Sequence, residues 1–152
     1  MDLGPWLHFA HIGAAAVWLG GGLTLSLIGL RVRRTDEQAV MGEFARVHRF
    51  LGLGLFAPAV VIVFVAGIWL VLVEFGGDFT RPWIALGIGA LILAFLVGAL
   101  YLSRSAIRME RLSRDGDLEG ARQALGSWLT GYAIVVVVLG FALWDMIFKP
   151  GS

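Results

Sequence analysis

The chain has no cysteine in 152 residues, so disulfides, thiolate metal sites and CxxC redox centres are all excluded. Charge is scarce as well: only 15% of residues are Asp, Glu, Lys or Arg, and twelve basic residues against eleven acidic ones leave a net charge of +1. That balance does not suit a nucleic-acid binder. Proline occurs four times and histidine three times. What the chain has in abundance is apolar surface, at 59% of residues with a mean hydropathy of +0.84, which is incompatible with an ordinary soluble or disordered protein.

Four apolar stretches are long enough to cross a hydrocarbon core of roughly 30 Å at about 1.5 Å per residue. They run from Trp6 to Leu30, Phe50 to Val73, Trp83 to Ser103 and Trp128 to Phe148. None alternates as a barrel strand does, and backbone groups in lipid must be satisfied within the segment, so each is predicted to be a helix. The expected fold is an all-α, polytopic membrane protein: one antiparallel four-helix transmembrane domain over residues 1–152. The first apolar run is too long for a signal-peptide core, so the first span is expected to remain in the protein.

Orientation follows from the basic residues. Arg31, Arg33, Arg34, Arg46 and Arg49 precede or enter the second span, and Arg104, Arg108, Arg111, Arg114 and Arg122 follow the third; the opposite side has only Arg81 and Lys149. The positive-inside rule therefore predicts cytoplasmic arginine-rich loops, with both termini outside. A bacterial inner membrane is the expected location and the lipid bilayer the expected partner. The basic helices flanking the loops could meet a protein partner, and the small-residue stripes Gly20-Gly21-Gly22 and Ala90, Ala94, Gly98 could serve packing within the chain or a homodimer.

Local signals set the helix ends. Pro5 and Pro82 suit first turns, Thr35 with Gln38 reads as a capping box, and Asp117 reads as the cap of the last helix. Pro58, inside the second span, is expected to kink it. Trp6, Trp83, Trp128 and Trp144 fall near the interfaces, where aromatic belts form. His48 is expected among Arg46, Arg49 and lipid headgroups.

The residues able to carry chemistry gather at the outer level. His8 and His11 share a face of the first helix, about 5 and 9 Å below Pro5, and Asp145 and Met146 lie roughly 26 Å beyond Trp128 at the same level. Glu74 ends the second span there, with Asp78 in the loop above. His8, His11, Glu74 and Asp145 thus form a candidate metal set, which with Met146 suits copper and without it zinc. The alternative cofactor is haem b. His48 is a membrane core away from His11, and His8 and His11 project from one face, so no two histidines of one chain can clamp the same iron. One histidine would then work with Met146, an open position or a second copy of the chain.

His11-Ile12, Trp18 and Gly20-Gly21, followed by Arg49, Pro58-Ala59, Gly67, Trp83, Tyr101 and the ending Lys149-Pro150, resemble HemJ-type protoporphyrinogen oxidases and copper-resistance D-like membrane domains. The chain also resembles, and is identified as a member of, an uncharacterised bacterial integral membrane family, domain of unknown function 2269. The oxidase resemblance implies haem b binding by His11, with Lys149 in support, and electron transfer from a porphyrinogen to quinone. A non-catalytic membrane assembly subunit is the alternative.

Overall fold

The computed structural model describes residues 3–151; Met1, Asp2 and Ser152, at the ends of the expected 1–152 domain, lie outside them. The described residues form α1 (Gly4–Val32), α2 (Gln38–Leu51), a π-helical segment π1 (Gly52–Phe56), α3 (Ala57–Glu74), α4 (Pro82–Leu96), a second π segment π2 (Val97–Leu102), α5 (Ser103–Arg114) and α6 (Leu118–Phe148). Because α2, π1 and α3 run on without a break, as do α4, π2 and α5, the chain makes four long helical rods. Each is long and apolar enough to cross a membrane, at 29, 37, 33 and 31 residues. The protein is an all-α four-helix membrane bundle.

The rods outrun the apolar stretches mainly at the arginine-rich end, where α2 and α5 extend past them and pack on each other. Arg49 and Arg114 both donate to Glu110, at 3.3 and 3.1 Å, and Gln38 Nε2 donates to the Ser113 carbonyl at 2.7 Å. That last bond overturns the expected capping box: Gln38 reaches across to α5 instead of back to Thr35, and α2 starts from Glu37 with no side-chain cap. The other end signals hold. Pro5 and Pro82 stand in first turns, and Asp117 Oδ1 accepts from Gly120 N at 2.8 Å.

Pro58 acts through backbone register. Lacking an N–H, it cannot bond to the carbonyl four residues back. The turn just before it is wound as π1, with Ala57 N bonding to Gly52 O five residues back, and α3 then starts afresh with Pro58 in its first turn.

The core follows α6, whose Leu125, Trp128, Tyr132 and Val135 are buried. Small residues set the crossings. A Cβ on Gly22 would overlap the Tyr132 ring, and Tyr132 Oη donates to the Trp18 carbonyl of α1 at 2.9 Å. A Cβ on Gly131 would fall 2.5 Å from Tyr101 Cδ1, so π2 presses against α6 there. Of the two expected small-residue stripes, Gly21 and Gly22 face Phe56 and Tyr132, and Ala90 and Ala94 are buried, while Gly20 and Gly98 face open space.

Two expectations about aromatic residues fail. Trp6 and Trp144 are exposed as belt residues should be, but Trp83 and Trp128 are buried, at 8% and 1% exposure. His48 is buried as well, its ring edge-on to Trp128 at 4.7 Å between centroids. The helical phase explains both: His48 lies four residues from Phe44 on the face of α2 turned to α6, opposite the face that carries Arg46 and Arg49.

Candidate functional site

The end of the bundle that carries the chain termini encloses a cavity of about 560 Å³ between α1, α3, α4 and α6. Its walls are largely apolar, with Trp18, Leu70, Ile84 and Leu139 among them, and the polar side chains that reach it are His8, His11, Glu74, Trp83 and Lys149. A chamber of this size and character falls in the ordinary range for small-molecule and cofactor sites, roughly 300–1,000 Å³.

His11 is the most constrained of these side chains. Its ring is buried, and Nδ1 donates to the Val63 carbonyl of α3 at 2.9 Å. A carbonyl can only accept, so the proton sits on Nδ1 and the lone pair on Nε2. The imidazole fits because residue 67 is glycine: a Cβ there would stand 3.0 Å from His11 Cε1 and 3.3 Å from Nδ1. The spacing of Gly67 from Pro58 was visible in the sequence, but the space it leaves for an imidazole on another helix was not.

The remaining candidates divide into separate groups. His8 Nδ1 lies 3.1 Å from the Gly4 carbonyl and 3.3 Å from Glu74 Oε1, linking α1 to the end of α3 at the cavity rim. Asp145 is completely buried beside Gly87, where a Cβ would be 3.4 Å from its Oδ2, and neither carboxylate oxygen has a hydrogen-bond partner among the described residues. Met146 approaches the same glycine and lines the cavity. Among the described residues, no three His, Asp or Glu side chains converge as a metal-holding group. The structure therefore joins His8 to Glu74 and holds His11 and Asp145 apart from that pair.

Lys149 closes α6 in the left-handed conformation, at φ 45°, which turns its side chain off the helix path. Its Nζ lies 5.3 Å from the Trp83 ring centroid and 5.7 Å from that of Phe75, and no ion pair to a carboxylate is found for it among the described residues. Arg81 stacks on Phe75 as well, at 5.0 Å. Asp78, in the connecting loop, accepts from the Thr80 hydroxyl and amide and from Arg81 Nε. Those bonds, the Thr80 hydroxyl first, hold its carboxyl below the usual carboxylate range.

Residues 5–150 match the family described as predicted integral membrane protein DUF2269. The chain belongs to that family. No curated protein and no solved structure matches it. Family membership thus agrees with the four spanning rods.

A second depression, about 420 Å³, lies at the arginine-rich end between α2 and α5. Glu110, in its wall, is already held between Arg49 and Arg114, and Arg46 is paired with Glu43.

Proposed function

We propose that this DUF2269 protein is a membrane-embedded binding module for haem b, which the terminal-end cavity would hold with His11 Nε2 as the ligating nitrogen. The observation that carries the reading is the bond from His11 Nδ1 to the Val63 carbonyl. Metal-ligating imidazoles characteristically give their other N–H to such an acceptor, which fixes the tautomer and raises the basicity of the ligating nitrogen. The apolar walls suit the macrocycle, and the Lys149 ammonium, which pairs with no carboxylate among the described residues, suits a propionate. Met146 is placed on the same wall as a further soft donor.

Haem is favoured over a bare copper or zinc ion by donor number. A protein site for either ion draws on three or four side chains. His8, His11, Glu74 and Asp145 supply no such group as placed, whereas a porphyrin brings four nitrogens and needs one imidazole. Bound haem would supply one-electron exchange, the chemistry used by the HemJ-type oxidases that the chain resembles. The arginine count supports a reading with the cavity at the outer face of a bacterial inner membrane.

The test is optical titration of detergent-purified protein with haemin. One equivalent should produce a protein-bound Soret band, and His11→Ala should abolish it. A wild-type protein that gives no such band, or a His11→Ala protein that gives the same band, would overturn the assignment.

A further inference from the structure

The cavity is walled unevenly. On the side of α3 and α4 Leu70, Val71, Trp83 and Ile84 are buried, Gly67 and Ile88 half-buried, and of the lining only Glu74 at the rim is exposed. On the side of α1 and α6 His11, Trp18, Leu139 and Ala142 are buried, but an apolar set beside them is not. Ile12 is 63% exposed, Leu143 55% and Ile147 64%, and Ala16 is exposed with them, although all four line the cavity.

The cause lies lower in the bundle. Helices α1 and α6 are drawn together around Gly22 and Tyr132, and again at Gly29, where a Cβ would meet Leu125 and Leu129 at 3.4 Å. Beyond the Trp18 carbonyl, toward the termini, no glycine contact or hydrogen bond ties the two helices among the described residues. The gap is flanked by aliphatic side chains, and it opens on the flank of the rods that the apolar length of each helix puts in the bilayer. His11 and Trp83 lie within the cavity, and its exposed polar groups stand at the rim: His8 paired with Glu74, and Lys149 over the Trp83 ring.

The geometry points to loading from the lipid. We infer that the gap between α1 and α6, bounded by Ile12, Ala16, Leu143 and Ile147, is a lateral portal. Through it the cavity takes an anionic amphiphile dissolved in the bilayer, apolar body first, with the acidic group coming to rest at Lys149. Such a molecule keeps its body in hydrocarbon and its head at the interface throughout, so it crosses no polar barrier. An aqueous route would instead bring it past the His8–Glu74 pair and the Lys149 ammonium. Haem, with a hydrophobic macrocycle and two carboxylates, belongs to this class; the inference thus deepens the haem reading but does not depend on it for its test.

The absence of cysteine makes the portal measurable. Ala142→Cys puts a single thiol on the cavity wall of the full chain in liposomes. A lipophilic maleimide carried in the bilayer should label it, and a charged, water-borne methanethiosulfonate should not. Adding Ala16→Trp and Leu143→Trp, both at exposed positions, should abolish the lipophilic labelling over the time in which the unplugged protein is fully labelled. Adding Val61→Trp, which is exposed on α3 away from the cavity, should leave the labelling unchanged.

Labelling that persists through the double tryptophan plug, or faster labelling by the charged reagent, would overturn the portal. Oleate and a neutral analogue, oleyl alcohol, test the head group: oleate should protect the thiol, and that protection should be lost in Lys149→Gln. Equal protection by the two would overturn the anionic class. Should haemin give no Soret band while the labelling pattern holds, the haem assignment falls and the portal stands.

Discussion

A methyl group at residue 67 would stand 3.0 Å from His11 Cε1, tighter than ordinary contact, and α3 cannot retreat without losing its packing on α1. Gly67→Ala should therefore tilt the imidazole and weaken its bond to the Val63 carbonyl, lowering haem affinity roughly tenfold or more while the bundle still folds. Titration with haemin beside a thermal melt separates the two effects. Asp78 gives a second residue-scale prediction. Its carboxyl ionises more readily folded than unfolded, so the loop it organises gains stability above the usual carboxylate pKa and loses it as pH falls through the lower folded value. Thr80→Val removes the largest cause and should raise the Asp78 pKa toward the ordinary range, read by NMR titration. Gly67 does not advertise such a role in sequence, because only the fold brings it near His11, whereas Thr80 acts on Asp78 two residues before it and its role is local.

Two glycines in one helical turn of α1 give a matched comparison at the scale of the element. Gly22 faces the Tyr132 ring and Gly20 faces open space. Gly22→Ala should destabilise the bundle by about 1–3 kcal/mol through overpacking, whereas Gly20→Ala should be neutral or mildly stabilising, since alanine is the better helix former. Thermal unfolding in detergent tests both, with Tyr132→Phe expected to cost about 1 kcal/mol for the lost bond to the Trp18 carbonyl. Elements were legible where the signal was local. Pro5, Pro82 and Asp117 act within their own first turns, and all three sit as their chemistry dictates. The Thr35–Gln38 box failed because Ser113, 75 residues away, offered Gln38 a partner that no local rule anticipates. His48 and Trp128 failed for a related reason: a lone aromatic near the end of an apolar run fits a headgroup belt and a helix–helix contact equally, and the facing helix decides between them.

At the scale of the molecule, hydropathy was enough for four rods, since it acts along the full length of each helix. Convergence at the terminal end was legible only in part. Helical rise put His8, His11, Glu74 and Asp145 at one level, but level says nothing of azimuth, and the helices turn His8 toward Glu74, His11 toward Val63 and Asp145 toward Gly87. The cavity between them is a property of how α1 and α6 part beyond Tyr132, which no single segment encodes.

A ligand bound there should stabilise the whole fold by mass action, so haemin at a hundred times its dissociation constant should add about 2.7 kcal/mol to stability and raise the midpoint of thermal unfolding. The most direct measurement is chemical rescue of the axial ligand. His11→Gly should lose the Soret band of the haemin-loaded protein and regain it when free imidazole is supplied, because the cavity that held the side chain then holds the base. A His11→Gly protein that binds haemin as the wild type does, or a wild type that binds none, would contradict the account.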